Sequence, residues 1–210
     1  MGVCVVRLER KPRGVRVVPL TRDLATRLRE QAAAAINGDG GCSLKAMTTS
    51  CFASESCASG HSALQLDMLL ASPHAYVAVA DVAPDGTTQL AEDAFVGCVS
   101  AGPARGSMVT RLFPHQHSAC EDALTLSNLC VADAYRGHGI GRKLVKAVLA
   151  RGASRTYLLI ARGGERHPDP DVAAAFAQRV PRLRKTYAKL QFRPVDECAQ
   201  AVLLYCDDTC

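Results

Sequence analysis

Leu129-Cys-Val-Ala-Asp-Ala-Tyr-Arg-Gly-His-Gly-Ile-Gly-Arg-Lys-Leu144 is the stretch on which the reading of this chain turns. Leu129, Cys130 and Val131 end an apolar strand. Gly137, Gly139 and Gly141 follow in a loop with Arg136 and His138, and an amphipathic helix starts inside that loop at Ile140. Glycine lets a backbone approach an anion closely, and the first N–H groups of a helix point outward with the positive end of the helix dipole behind them. Such a segment holds a phosphate or pyrophosphate, with Arg136 and Arg142 adding charge. A nucleotide-binding P-loop needs Ser or Thr after its Lys, and none follows Lys143. A dinucleotide fingerprint, Gly-x-Gly-x-x-Gly, puts its third glycine where Arg142 stands.

Working outward, the periodicity predicts a mixed α/β fold. Ala123 to Val131 is a strand, Gly139 to Arg151 a helix with Leu144, Val145, Val148 and Leu149 on one stripe, and Tyr157 to Ala161 a short buried strand. Upstream, Val15 to Leu20 reads as a strand, and Thr21 caps a helix from Arg22 to Ile36 on which Leu24, Leu28 and Ala32 recur. Asn37 to Gly41 ends that helix, and a second, short one is expected from His61 to Leu70. Ala75 to Asp81 and Phe95 to Ala101 form a hairpin around the Pro84-Asp-Gly86 turn, and Gly102 to Asp122 is a loop. Downstream, Asp171 to Leu190 is helical with a restart or kink at Pro181, and Phe192 to Val195 and Ala201 to Cys206 are the last strands.

The 210 residues suit one domain with decorations, and 48% hydrophobic with 21% charged content is enough to bury a core. Neither an apolar run of about 18 residues nor a signal-peptide core is found, so a soluble, cytoplasmic protein with no membrane partner is expected. A net charge of +5 is too diffuse for a nucleic-acid face. Most of the ten cysteines are expected to be reduced, with Cys98, Cys130 and Cys206 as small core residues.

The pattern Arg136-x-x-Gly139-x-Gly141 behind a strand ending at Val131 resembles the acetyl-CoA signature of the GNAT N-acetyltransferase superfamily. A second stretch, Leu183-Arg-Lys-Thr-Tyr-Ala-Lys-Leu-Gln-Phe192, looks like that family's closing helix and strand. Tyr187 and Phe192 match, whereas Gln191 replaces the usual Gly and Val180 stands where many members carry Asn. The resemblance implies a single mixed, mostly antiparallel sheet of about six to seven strands flanked by helices on both faces. Residues 13–210 would form that domain, with insertions at about 37–60 and 102–122, and residues 1–12 a flexible N-terminal extension.

It also implies acetyl-CoA as co-substrate. Pantetheine would pair with the strand edge at Leu129, Cys130 and Val131, and the main chain of Arg136, Gly137, His138, Gly139, Ile140, Gly141 and Arg142 would receive the pyrophosphate. Tyr187 is similar in position to the family's general acid. Many members place a Glu on the strand before the signature, but the inward positions here are Thr125 and Ser127. A water held by Ser127, or a group among Glu121, Asp122, His115, His117, Glu165 and His167, is then the candidate base, and a substrate amine with a depressed pKa would dispense with a strong one. The acceptor amine, whether protein N-terminus, lysine, polyamine or small molecule, and the oligomeric state are not written in the sequence.

Cys42, Cys51, Cys57 and His61 are separated by eight, five and three residues, the spacing of CCCH zinc fingers. A structural zinc there would order the loop between the first two helices. Two further readings stand beside the N-acetyltransferase: an acyl-CoA-binding protein without turnover, and a zinc-containing nucleic-acid-binding module, against which the scarcity of stacking aromatics argues.

Overall fold

Valines at 15, 17 and 18 suit a pleated strand, and Val15–Pro19 forms β1. The computed structural model describes residues 14–37, 67–82, 89–116, 119, 121–132, 135–162 and 170–207. At Thr21 the chain turns into α1 (Arg22–Asn37): Thr21 Oγ1 accepts the Leu24 N–H at 3.2 Å and its carbonyl accepts the Ala25 N–H at 2.9 Å. This is an N-cap as predicted, and it places Leu24, Ala25 and Leu28 in the core.

β1 pairs antiparallel with β2 (His74–Val82), from Val15 opposite Ala80 to Pro19 opposite Tyr76. Four consecutive residues of β2, Val77 to Ala80, are fully buried, so both of its faces are covered. β3 (Gln89–Pro103) is longer at both ends than the predicted Phe95 to Ala101. The expected loop after it instead contains α2 (Met108–Leu112) and a 3-10 turn, Pro114–Gln116. Ser107 caps α2, accepting the Val109 N–H, and Val109 and Phe113 are buried. Those two apolar anchors turn the excursion into ordered structure.

β4 (Ala123–Val131) has the predicted bounds and runs parallel to β5 (Arg155–Ala161), with α3 (Ile140–Leu149) on the crossover. α4 (Pro170–Ala188) is a single helix with Pro181 inside it. Pro181 is exposed, and the helix runs through it, so of the expected restart or kink the restart does not occur. β6 (Arg193–Glu197) and β7 (Ala201–Asp207) close the chain, β7 pairing antiparallel with both β5 and β6. The seven strands form one mixed sheet in the order β1-β2-β3-β4-β5-β7-β6.

The chain divides into two compact units. One comprises Met1–Ala71, Ala75–Cys98 and Leu129–Val145; its core includes Leu28, Val77, Val79, Val96, Ile140 and Leu144. The other comprises Ser72–His74, Val99–Asn128 and Lys146–Cys210; Phe113, Ala123, Tyr157 and Leu203 form one buried cluster in it. Cys98, Cys130 and Cys206 are all buried, as expected. Cys98 and Cys206 carry no disulfide, but Cys130 is disulfide-bonded, which corrects the expectation of a reduced thiol there. The predicted extension 1–12, the Pro84 turn and all but one residue of the 37–60 insertion also lie outside the described residues, and the helix expected from His61 is described only over 67–70.

Candidate functional site

The turn after β4 is built from the end of the strand. Ala132 N donates to Val96 O at 2.9 Å, and Tyr135 N donates to Ala132 O at 2.8 Å, with the Tyr135 ring buried. Arg136 Nε donates to Val131 O at 3.1 Å, tying the base of the turn to the strand it leaves. Gly137 and Gly139 have φ of 82° and 78°, a region L side chains rarely adopt, and a Cβ at either would meet nothing within 4 Å. The first intrahelical bond of α3 runs from Lys143 N to Gly139 O at 3.1 Å. The N–H groups of Ile140, Gly141 and Arg142 therefore have no acceptor within the helix. Glycines with open space at their Cβ positions, followed by helix N–H groups that have no acceptor within the helix, are a main-chain arrangement that can receive an anion. His138 adds a buried Nδ1 without a protein partner at the same place.

Behind the turn, Gly97 on β3 admits a close approach. A Cβ there would lie 2.8 Å from Cys130 O and 3.3 Å from Leu144 Cδ1. A lone glycine within Phe95-Val-Gly-Cys-Val99 was the available signal, and the sequence reading passed over it.

In the middle of β4 the ladder changes. Pairing with β5 covers Ala123 to Leu126 only, opposite Arg155 to Leu158. Two residues further, Asn128 has φ of 52°. A left-handed residue breaks the alternation of the strand and re-aims its neighbours. Ser127 is exposed beside it, and its Oγ lies 3.0 Å from Ser100 Oγ of β3. Ser100 is fully buried and accepts from Asn128 Nδ2 at 2.9 Å. Thr125 Oγ1 lies 3.1 Å from Ser107 Oγ. Ser100 and Asn128 were missed by sequence, although a serine in the apolar run of β3 is a polar group that must find a partner once buried.

Tyr187, near the end of α4, is 8% exposed and packs edge-on against Phe192 at 5.9 Å. Its carbonyl accepts from Leu190 N at 2.8 Å and Phe192 N at 3.1 Å, a helix end that does without the glycine expected at Gln191. Gln191 itself takes φ of 66°. Of the candidate bases, His115 Nε2 lies 2.5 Å from Asp196 Oδ2, and Glu121 pairs with Arg105 at 3.4 Å. A shift of register between Pro194 and Asp196 in β6 puts Asp196 opposite Leu203 and on the side of the sheet that His115 reaches. Asp122, exposed, is a loop residue whose carbonyl accepts from Ser154 Oγ. His117, Glu165 and His167 lie outside the described residues, as do the zinc candidates Cys42, Cys51, Cys57 and His61. Among the described residues no group of three His, Cys, Asp or Glu side chains is placed to hold a metal, and no helix is long and apolar enough to cross a membrane.

The chain belongs to the GNAT family: the model of the acetyltransferase (GNAT) domain matches residues 73–194, more than half of its length. Among solved structures it is similar to Arabidopsis thaliana NAA60 in complex with acetyl-CoA, at 15% identity and a TM-score of 0.50, covering 92% of this chain and 98% of that one. It is also similar to a GNAT-family protein from Desulfovibrio desulfuricans, at 13% identity and a TM-score of 0.50, covering 93% and 100%. These likenesses concern the fold, and bear out the single mixed sheet read from the sequence. No curated protein matches the sequence.

Proposed function

We propose that this chain is an N-acetyltransferase that moves acetyl from acetyl-CoA to a primary amine by direct attack in a ternary complex. The observation that carries the reading is the turn Gly137 to Gly141, where two left-handed glycines with open space at their Cβ positions adjoin the first N–H groups of α3, which have no acceptor within the helix. The main chain of Arg136 to Arg142 holds the diphosphate, and the β4 edge at Leu129, Cys130 and Val131 holds the pantetheine, apart from Val131 O, which Arg136 already occupies. Acetyl-CoA supplies the activated acyl group. The amine nitrogen bonds to the thioester carbon, the C–S bond breaks, the amine loses a proton to solvent water, and the departing thiolate gains one. Tyr187 is the proposed donor of that last proton, and Ser127 the polar side chain of β4 at the reacting end. The acceptor is an amine of a protein N-terminus, a lysine, a polyamine or a small molecule.

Because Thr125 and Ser127 stand where a carboxylate base is usual, an acyl-CoA binder without turnover is the second reading. Two variants separate them. Gly139→Glu places an anion where phosphate sits, on a φ of 78° that strains any side chain; it should abolish acetyl-CoA binding in calorimetry, and retained micromolar affinity overturns the site. Tyr187→Phe should lower turnover by at least about tenfold while leaving acetyl-CoA affinity within about twofold. Equal turnover removes Tyr187 from the mechanism, and wild-type binding without transfer to any amine of a broad panel establishes the second reading.

A further inference from the structure

Two hydroxyl pairs lie along β4, and counting their protons separates them. Ser107 Oγ donates to Ala104 O at 2.6 Å and accepts from Val109 N at 3.1 Å. Its one proton is committed, so the 3.1 Å contact with Thr125 Oγ1 requires Thr125 to be the donor. The Thr125 hydroxyl is thus consumed inside the protein. At the second pair, Ser100 Oγ accepts from Asn128 Nδ2 at 2.9 Å and must itself donate, because Ser100 is fully buried and a stranded hydroxyl proton is costly there. Its nearest acceptor is Ser127 Oγ at 3.0 Å; the alternative, Ser127 O, is at 3.5 Å. With Ser100 donating, the proton of Ser127 cannot point back at Ser100, and Ser127 is exposed.

We infer that Ser100 is a positioning residue: the chain Asn128 to Ser100 to Ser127 fixes the direction of the hydrogen bonds and presents the Ser127 hydroxyl as an outward donor to the acyl carbonyl oxygen of the substrate. That oxygen becomes negative as the amine bonds to the carbonyl carbon, and it returns to a carbonyl as the C–S bond breaks. Ser127 donates a hydrogen bond throughout and gives up no proton. Successive donors polarise one another, so the terminal O–H is stronger than an isolated serine. The inference rests on the acetyl-transfer reading and refines it: Ser127 serves as a donor and is not the holder of a basic water.

The test measures acetyl-CoA affinity by calorimetry and thiol release from acetyl-CoA, with an amine panel and with water alone as acceptor. Removing one preorganised donor to an oxyanion costs on the order of a hundredfold in turnover, which is the expectation for Ser127→Ala. Ser100→Ala leaves the Ser127 hydroxyl present but unaimed and should cost about tenfold, with acetyl-CoA affinity within about twofold and Ser100→Thr restoring most of the rate. The double variant should be no slower than Ser127→Ala, since Ser100 acts only through Ser127. Should Ser100→Ala not fold, Asn128→Asp is the second probe. Its carboxylate accepts from Ser100, forces Ser127 to donate inward, and should match the loss of Ser127→Ala. Full turnover in Ser100→Ala, or losses that add in the double variant, overturns the inference while leaving acetyl transfer standing. Failure of the wild type to bind acetyl-CoA, or to release thiol, overturns both.

Discussion

Cys98 is 1% exposed on β3, and burial pushes its thiol up to about 12 from an ordinary 9.0. The folded protein therefore favours the protonated thiol over the unfolded chain between those two values. The stabilisation is complete below pH 9, and is lost as the pH rises through about 12. Cys98→Ala should flatten the fall in thermal stability between pH 9 and 11, and superimposable profiles would refute the account. Native alkylation at pH 8 should likewise spare Cys98, because the thiolate is the nucleophile and is scarce there. At this scale much was legible. Cys98 sits in an apolar run, and three glycines between a strand and a helix have few other uses. Arg136 was read correctly as part of the turn, but its bond to Val131 O was not readable, since a guanidinium next to an anion site is expected to point at the anion.

Among the elements, β3, β4 and α3 converge on Gly97. A methyl group there would lie 2.8 Å from the carbonyl of Cys130, a backbone atom that cannot swing away as a flexible side chain would. Gly97→Ala should therefore destabilise by about 1–3 kcal/mol, seen as a lower urea midpoint at unchanged slope. An unchanged midpoint would mean that β4 shifts freely, against the close packing described. Element identity was well marked in the sequence, β4 down to its terminal residues, because apolar runs and glycine turns are local signals. α2 was not, as Met108–Leu112 is too short to show a helical period and forms where Ser107 caps it and Val109 and Phe113 find a core. Pro181 left two outcomes open in the sequence, and the helix runs on through it without a restart.

Across the first compact unit, one carboxylate draws four elements together. Asp93 of β3, 8% exposed, accepts from Arg16 of β1 at 2.8 Å and from Arg27 of α1 at 2.9 Å, and its N–H donates to Asp81 of β2 at 3.4 Å. Arg16 is held in its charged form by Asp81 first and by Asp93 beside it. Asp93 also takes φ of 58°, a conformation that Asp and Asn tolerate and Ala does not. Asp93→Ala should lower the melting temperature by several degrees and Asp93→Asn by less, the difference isolating backbone strain from charge. Equal losses would assign the whole effect to the ion pairs. High salt should narrow the gap between wild type and Asp93→Asn, because both arginines are half-exposed.

By itself the sequence determined the order of the strands and of the longer helices, the glycine-rich turn and the family, because each depends on residues near one another along the chain. Hydrophobic period, capping and glycine placement act within a few residues and leave their mark in any short window. Only the tertiary structure decided that Ser100, Ser127 and Asn128 form one hydrogen-bonded chain, that Thr125 is spent on Ser107, and that Asp93 gathers Arg16 and Arg27. Those partners stand 18 to 77 residues apart, apart from the neighbours Ser127 and Asn128. What joins them is the register of paired strands and a single left-handed residue in β4, and the direction of each bond follows from burial, which no linear pattern specifies.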